Sequence, residues 1–305
     1  MPDLYDIHHV ALGVRDLSAM EAFYREQMGL REVFAFFGEC ERPLMKDVVR
    51  ASQVIFSGIM LRDEAQGIML ELIQMKEPEP RPIRLDFQYG DIGVSKVSIG
   101  VEDLEAFCRR AGDVVLPPKT IVIPGLGEYS FCFCKDREGN LVELFQLHGG
   151  LGGAPSCLCR IGIAVTDLER SIEFYTSKLG LALILPPHDA FSGQLGELFG
   201  LEDARVTSCV LSFDLATARG IELFEARRPR GRSIPFSTRW GDFGYLQVAF
   251  SCHDVEGVAR ELERGGVELL CKRKSTAEEI PEHPGEFVYA RDPDGIPIEL
   301  LYLPP

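Results

Sequence analysis

A fourfold repeat constrains this chain more than any other feature: four strand-like segments carry the pair Glu-Leu at the same place. The four glutamates are Glu71 (MLELIQ), Glu143 (LVELFQ), Glu222 (GIELFE) and Glu299 (PIELLY). A carboxylate inside an apolar strand is costly to bury without a partner. Solvent-facing carboxylates on edge strands would be the alternative, but the recurrence at one register favours four acidic positions that face cavities.

Each repeat also begins alike, with an apolar strand that runs into Asp-Leu or Asp-Val. These aspartates are Asp16, Asp103, Asp167 and Asp254. An aspartate that follows a strand and precedes an apolar-periodic segment is typical of a helix N-cap. The sequence therefore predicts four units, each with a first strand, a capped helix and a last strand that carries the glutamate.

The two halves of the chain share one register, which makes the chain a tandem repeat. Positions 151 residues apart match one another: Arg160, Asp167, Glu222, Asp242 and Gln247 match His9, Asp16, Glu71, Asp91 and Lys96. Glu299 lies 156 residues after Glu143, which predicts an insertion of five residues in the loop 272–286. A Gly-rich segment separates the halves, so we expect domains at 1–147 and 157–305 joined by a linker at 148–156.

Composition limits the partners of this protein. The chain of 305 residues is 46% hydrophobic, enough for two ordinary cores, and its formal charge of −15 disfavours nucleic acid and anionic membrane surfaces. No apolar run approaches the roughly 20 residues that span a bilayer, and the first residues lack the pattern of a signal peptide. Nine cysteines, mostly in apolar strands, favour reduced thiols. We therefore expect a cytoplasmic protein.

Strand alternation predicts which side chains share a cavity. In the first strand the apolar set Val10, Leu12 and Val14 forms one face, so His9 lies on the other face and His8 on the helix side. The same count turns Lys96, Arg160 and Gln247 away from their helices. Pairing consecutive units predicts two cups. The N-terminal cup would contain His9, Glu71, Lys96 and Glu143, and the C-terminal cup would contain Arg160, Glu222, Gln247 and Glu299.

These motifs resemble the vicinal oxygen chelate superfamily, which includes glyoxalase I, methylmalonyl-CoA epimerase, extradiol dioxygenases and bleomycin resistance proteins. The likeness covers the whole chain and is sharpest in KDREGNLVELFQ and RDPDGIPIELLY. It implies an α+β fold of four βαβββ modules, paired into two glyoxalase-like domains whose curled mixed sheets form cups. It also implies metal ligands on the first and last strands of each module.

The resemblance further implies a divalent-metal-dependent lyase or isomerase of glyoxalase or epimerase type, acting on a small carbonyl substrate. In the N-terminal cup His9, Glu71 and Glu143 would hold Zn, Ni, Co, Mn or Fe, and Glu143 and Lys96 would be catalytic. The C-terminal cup is expected to be a degenerate copy, because the guanidinium of Arg160 would neutralise carboxylates in place of a metal cation. Its members are Arg160, Glu222, Gln247 and Glu299.

Lys96 leaves a second class of function open. A neutral amine beside a metal would be a base, whereas an ammonium between Glu71 and Glu143 would replace the metal. The latter hypothesis gives a metal-free protein that binds or sequesters a small molecule. Extradiol ring cleavage is disfavoured, because neither predicted cup contains a second histidine. Both hypotheses expect a small-molecule partner, allow a homodimer, and involve neither nucleic acid nor membrane.

Overall fold

Four modules of the same order follow one another in the computed structural model, which describes residues 3–83, 86–148, 157–214, 219–234, 238–277 and 284–304. The first module contains β1 (Leu4–Gly13), α1 (Leu17–Ala22), a π-helical turn (Phe23–Gln27), β2 (Glu32–Glu41), a 3-10 turn (Pro43–Met45), α2 (Lys46–Val49), β3 (Ile55–Arg62) and β4 (Met69–Glu77). The second contains β5 (Gly93–Gly100), α3 (Leu104–Ala111), β6 (Val114–Ile123), β7 (Gly127–Lys135) and β8 (Leu141–His148).

The second half repeats this order. The third module contains β9 (Cys157–Ala164), α4 (Leu168–Ser177), β10 (Ala182–His188), α5 (Gly196–Phe199), β11 (Arg205–Ser212) and β12 (Gly220–Arg228). The fourth contains β13 (Gly244–Cys252), α6 (Val255–Arg264), β14 (Lys274–Ser275), β15 (Glu286–Arg291) and β16 (Pro297–Tyr302). The predicted α+β fold of four modules with two curled sheets is confirmed.

The predicted helix N-caps are also confirmed. Each capping aspartate accepts a hydrogen bond from the backbone amide three residues later, at 2.8–3.0 Å. Two tyrosines at matching places in the halves, Tyr24 and Tyr175, lie fully buried under their helices. Tyr24 donates to Asp136 at 3.0 Å and Tyr175 to Asp292 at 3.2 Å, so each hydroxyl reaches the turn before the last strand of the following module.

The modules pair across the two halves, so the expected pairing of consecutive modules is wrong. One sheet has the order β14-β15-β16-β13-β1-β4-β3-β2 and so joins modules one and four, while the other has the order β10-β11-β12-β9-β5-β8-β7-β6 and joins modules two and three. The central contacts are antiparallel, between β1 and β13 and between β5 and β9. We call the cup of modules one and four the first cup and the other the second cup.

The segments after β4 and after β12, which we call the crossing segments, lead from one sheet to the other and form hydrogen bonds with each other. Phe243 N donates to Arg81 O at 2.8 Å, and Asp242 accepts from Arg81 N at 2.9 Å. Asp91 receives two charged hydrogen bonds from Arg232, at 2.7 and 2.6 Å. Both aspartates therefore hold the two crossing segments together.

Three further expectations concern loops and cysteines. Residues 149–156 of the predicted linker lie outside the described residues, so the domain boundaries stay a prediction. Residues 278–283, in the loop where the insertion of five residues is expected, also lie outside the described residues, so the insertion stays a prediction. The expectation of reduced thiols holds for seven of the nine cysteines and is wrong for Cys108 and Cys132, which form a disulfide.

Candidate metal centre

Four polar side chains meet in the first cup, one from each central strand of its sheet. Ala11 of β1 lies opposite Glu71 of β4 and opposite Gln247 of β13, and this register aligns the four side chains. His9 Nε2 lies 3.3 Å from Glu71 Oε2 and 3.3 Å from Glu299 Oε2. Gln247 Nε2 lies 2.8 Å from Glu299 Oε2 and 3.4 Å from His9 Nε2. All four side chains are buried.

This set differs from the predicted one at two positions. His9 and Glu71 come together as expected, but the other two residues are Gln247 and Glu299 of the fourth module, not Lys96 and Glu143. The cause is the pairing of β1 with β13, which brings the far end of the chain into the cup of His9. The first cup thus contains no ammonium at the ligand positions.

Burial and hydrogen bonds set the charges of two adjacent histidines. Burial alone would lower the pKa of His9, but its hydrogen bonds to Glu299 and Glu71 outweigh burial and raise this pKa to about 10. Burial, together with the nearby His9, lowers the pKa of His8 to about 3. His8 is therefore neutral and accepts from His9 Nδ1 across 2.8 Å. This bond turns His9 Nε2 toward the two carboxylates.

The position of His8 corrects a second expectation. Strict alternation put His8 on the helix side, but the ladder between β1 and β13 is irregular between Ile7 and His9, so both histidines reach the same cavity. The first cup therefore contains a second histidine. The contact of His8 with the ring of His9 gives it an orienting role.

The four side chains suit a divalent cation in their chemistry. One imidazole, two carboxylates and an amide supply nitrogen and oxygen donors of the kind that borderline metals bind. Gln247 Oε1 is buried and has no hydrogen-bond partner among the described residues, so its lone pairs are available to a metal ion. No group of three or more His, Cys, Asp or Glu side chains in the described part of the chain is already spaced as a cation cage. A cation would therefore replace the proton that His9 now shares with the carboxylates.

The second cup holds its own cation at the matching place. Lys96 Nζ lies 2.5 Å from Glu143 Oε2 and 2.8 Å from Glu222 Oε2. Burial disfavours an ammonium here, but the charges of the two glutamates outweigh it and raise the pKa of Lys96. Glu143 also accepts from Ser98 Oγ at 2.6 Å and from the Tyr129 hydroxyl at 2.9 Å. The predicted ammonium between carboxylates thus exists, but it joins Glu143 to Glu222 and not to Glu71.

Arg160 completes the charge balance of the second cup. Burial opposes its charge, yet Tyr129, Glu222 and Glu143 outweigh burial and raise the pKa of Arg160. Arg160 was predicted to neutralise both Glu222 and Glu299. Glu299 lies in the first cup, so of these two glutamates only Glu222 is near Arg160. Two buried cations thus face two buried carboxylates in the second cup, whereas the first cup has two carboxylates and only a shared proton.

The long connection after β10 packs over the second cup. Phe191 packs against the rings of Tyr129 and Phe131, with centroids 5.8 and 5.2 Å away, and Lys96 Nζ lies 6.0 Å from its ring centroid. His188 stacks obliquely against the same Phe191 at the edge of this aromatic cluster. Phe191 therefore covers the ion-paired Lys96 of the second cup.

The first cup opens instead into a cavity of about 130 Å³ with mostly apolar walls. Its wall includes Phe34, Phe37, Phe56, Met60, Trp240 and Tyr289, with Arg42 as a cationic member. The sequence gave no signal for Arg42, which lies outside the repeated motifs. A larger cavity of about 310 Å³ lies between the two crossing segments, away from the charged clusters, and shares Trp240 with the first cup.

Comparisons with known proteins agree with this fold. Residues 6–144 and 158–300 each match the family model of the Glyoxalase/Bleomycin resistance protein/Dioxygenase superfamily. Because both halves match, this chain belongs to that superfamily. Among the helices that the structure describes, none is long and apolar enough to cross a membrane.

Individual relatives are more distant. A lactoylglutathione lyase of Arabidopsis thaliana is 27% identical over 176 residues, which cover 58% of this chain and 55% of that protein. A 2-epi-5-epi-valiolone epimerase of Actinomyces is 28% identical over 158 residues, 51% of this chain and 83% of the epimerase. The crystal structure of glyoxalase I from Zea mays superimposes with a TM-score of 0.66 at 20% identity, covering 97% of this chain and 92% of that one. The match thus spans about half the length of the Arabidopsis protein, and the maize structure shows a shared fold.

Proposed function

We propose that this protein is a divalent-metal-dependent enzyme of glyoxalase or epimerase type, which moves a proton beside the carbonyl group of a small substrate in the first cup. The observation that carries the proposal is the charge contrast between the cups. The second cup neutralises its carboxylates with Lys96, while the equivalent position in the first cup is the neutral Gln247. The relatives, a lyase and an epimerase, support this class of reaction.

His9, Glu71, Gln247 and Glu299 would hold the cation through one nitrogen and three oxygens. A bound divalent metal acts as a Lewis acid that polarises a carbonyl oxygen and makes the neighbouring C–H more acidic. This donor set accepts Zn, Ni, Co, Mn or Fe.

The chain's own residues divide the remaining work. His8 fixes the ring of His9, and the amide of Gln247 donates to Glu299 and holds that carboxylate in place. The polar contact of Glu71 within the described residues is with His9 alone, so Glu71 is the less restrained carboxylate. We assign Glu71 the transfer of the proton, since a general base must be free to approach the substrate carbon. The aromatic wall beside it excludes water and strengthens these charges.

Proton exchange tests this proposal. Hydroxyacetone, a small hydroxyketone, is incubated in D2O with the Ni2+-loaded protein, and the loss of its C–H signals is followed by NMR with metal content measured in parallel. Wild type should catalyse the exchange, Glu71→Gln should abolish it, and the matched variant Glu222→Gln in the second cup should retain it. Exchange that survives Glu71→Gln would contradict the assignment. A wild-type protein that takes up no metal and catalyses no exchange would favour the metal-free binding protein instead.

A further inference from the structure

Arg42 is a buried cation that forms no ion pair with any carboxylate that the structure describes. It follows β2, has 5% of its surface exposed and lines the cavity of the first cup. Its Nη2 donates to the Gly38 carbonyl at 3.0 Å, while its Nε is buried and without a hydrogen-bond partner among the described residues. Because a desolvated guanidinium is costly without a counter-charge, the lack of an ion pair to Arg42 within the described ranges is unusual.

Aromatic rings provide the remaining compensation for Arg42. Its guanidinium carbon lies 5.3 Å from the ring centroid of Phe56 and 6.0 Å from that of Phe37. A cation–π contact is weaker than an ion pair with a carboxylate in a desolvated site. Arg62 shows the usual solution nearby: it stacks on Phe34, a ring of the same cavity, but also binds Glu32 at 2.6 Å. Arg42 lacks such a partner within the described residues.

The charges of the cavity leave Arg42 uncompensated when a metal is present. Glu71 and Glu299 carry two negative charges, which a divalent cation cancels. Glu286, the other carboxylate of the same wall, is already paired with Arg273. One positive charge from Arg42 therefore remains in a largely apolar cavity. The protein as a whole is strongly acidic, so an anionic ligand would need such a local cation to enter.

We propose that Arg42 binds a carboxylate group of the substrate, so that the substrate is a small carbonyl compound that also carries a carboxylate away from the reacting carbon. The inference rests on the proposed function for the carbonyl end, while the carboxylate end depends on Arg42 alone. A planar carboxylate accepts hydrogen bonds from guanidinium nitrogens, including the unpartnered Nε, and the small cavity favours it over a larger phosphate.

Two metal-binding probes of one shape test this inference. The monohydroxamic acid of succinate ends in a carboxylate, and its amide ends in an uncharged carboxamide; both are titrated calorimetrically into the Ni2+-loaded protein. Wild type should bind the carboxylate probe at least about tenfold more tightly, as expected for a buried charged hydrogen bond. Arg42→Gln should reduce this ratio to about one, and Arg42→Lys should keep part of it. Arg62→Gln is the matched control and should retain the wild-type ratio.

Equal binding of the two probes by wild type, or an unchanged ratio in a folded Arg42→Gln protein, would overturn the inference and leave the proposed function standing. Failure to bind Ni2+ would contradict the proposed function alone, and a titration of metal-free protein with succinate then decides. Trp240, the single tryptophan of the chain, lines the same cavity and reports binding by fluorescence. A saturable change in wild type that Arg42→Gln abolishes supports the inference, and no change in wild type overturns it.

Discussion

Replacing Lys96 by methionine removes the ammonium that neutralises the second cup. Its Nζ lies 2.5 Å from Glu143 and 2.8 Å from Glu222, and none of the three side chains has more than 4% of its surface exposed. Removing one partner of a buried ionic cluster leaves a buried charge uncompensated, which typically costs about 3–5 kcal/mol. We expect Lys96→Met to lower the free energy of unfolding at pH 7 by this amount, with the shape of the side chain largely preserved.

The pH dependence of stability should also change sign. In the wild type, burial would raise the pKa of Glu143, but Lys96 outweighs burial and lowers it. This contribution is fully present above the unfolded pKa of about 4.3 and is lost as the pH falls through the lower folded pKa. Without Lys96 the buried carboxyl pair should instead have raised pKa values, so the native state binds more protons than the unfolded state. The variant should therefore become more stable as the pH falls from 8 to 5.

Urea unfolding followed by circular dichroism at pH 5, 7 and 8 measures both effects. The double variant with Lys96→Met and Glu143→Gln is the control, because it removes one charge of each sign, leaves Arg160 beside Glu222 and should recover most of the lost stability. A loss below about 1 kcal/mol for Lys96→Met, with the wild-type slope against pH, would refute the charge balance assigned to this cup.

Three further predictions follow from the described contacts. Because the pKa of His9 is about 10, metal binding at pH 7 should release about one proton per cation. Calorimetry should then give a binding heat that depends on the ionisation enthalpy of the buffer, and a heat independent of the buffer would contradict a protonated His9. Phe191→Ala should cost about 3–5 kcal/mol by emptying the aromatic cover of the second cup and should leave metal stoichiometry unchanged, whereas a loss of metal would show that the cups are not independent. Asp242→Ala should lower the free energy of unfolding in urea by about 2 kcal/mol or more, because it leaves the backbone amides of Arg81 and Arg239 without their acceptor. The control Asp203→Ala, at an exposed carboxylate, should change this free energy by no more than about 0.5 kcal/mol, and equal effects of the two variants would contradict the role of Asp242.

Local signals explain why the modules could be predicted from the sequence. The aspartate caps, such as Asp167 before α4, act within one turn of a helix, so the strand-to-helix junction is visible in a few consecutive residues. The glutamates of the last strands repeat with the same alternation, so their inward direction was also predictable. Glu71 and Glu222 both face cups as expected.

The partners of each strand could not be predicted in the same way. The first strands of all four modules present similar apolar edges, so the repeat itself does not say whether β1 lies beside β5 or beside β13. The choice depends on the path of the crossing segments, held by contacts such as Arg232 with Asp91 between positions far apart in the chain. His8 escaped prediction because one irregular step in the ladder reverses the face of a side chain. Arg42 could not be predicted because it lies on a connection outside the repeated motifs.

Metal stoichiometry of two matched variants tests the central claim most directly. Glu299 and Glu143 hold the same place in the last strands of modules four and two, but they lie in different cups. Elemental analysis of protein loaded with Ni2+ and then dialysed should find one metal per chain in the wild type and in Glu143→Gln, and little or none in Glu299→Gln. Loss of the metal in Glu143→Gln with retention in Glu299→Gln would contradict the assignment of the metal centre to His9, Glu71, Gln247 and Glu299.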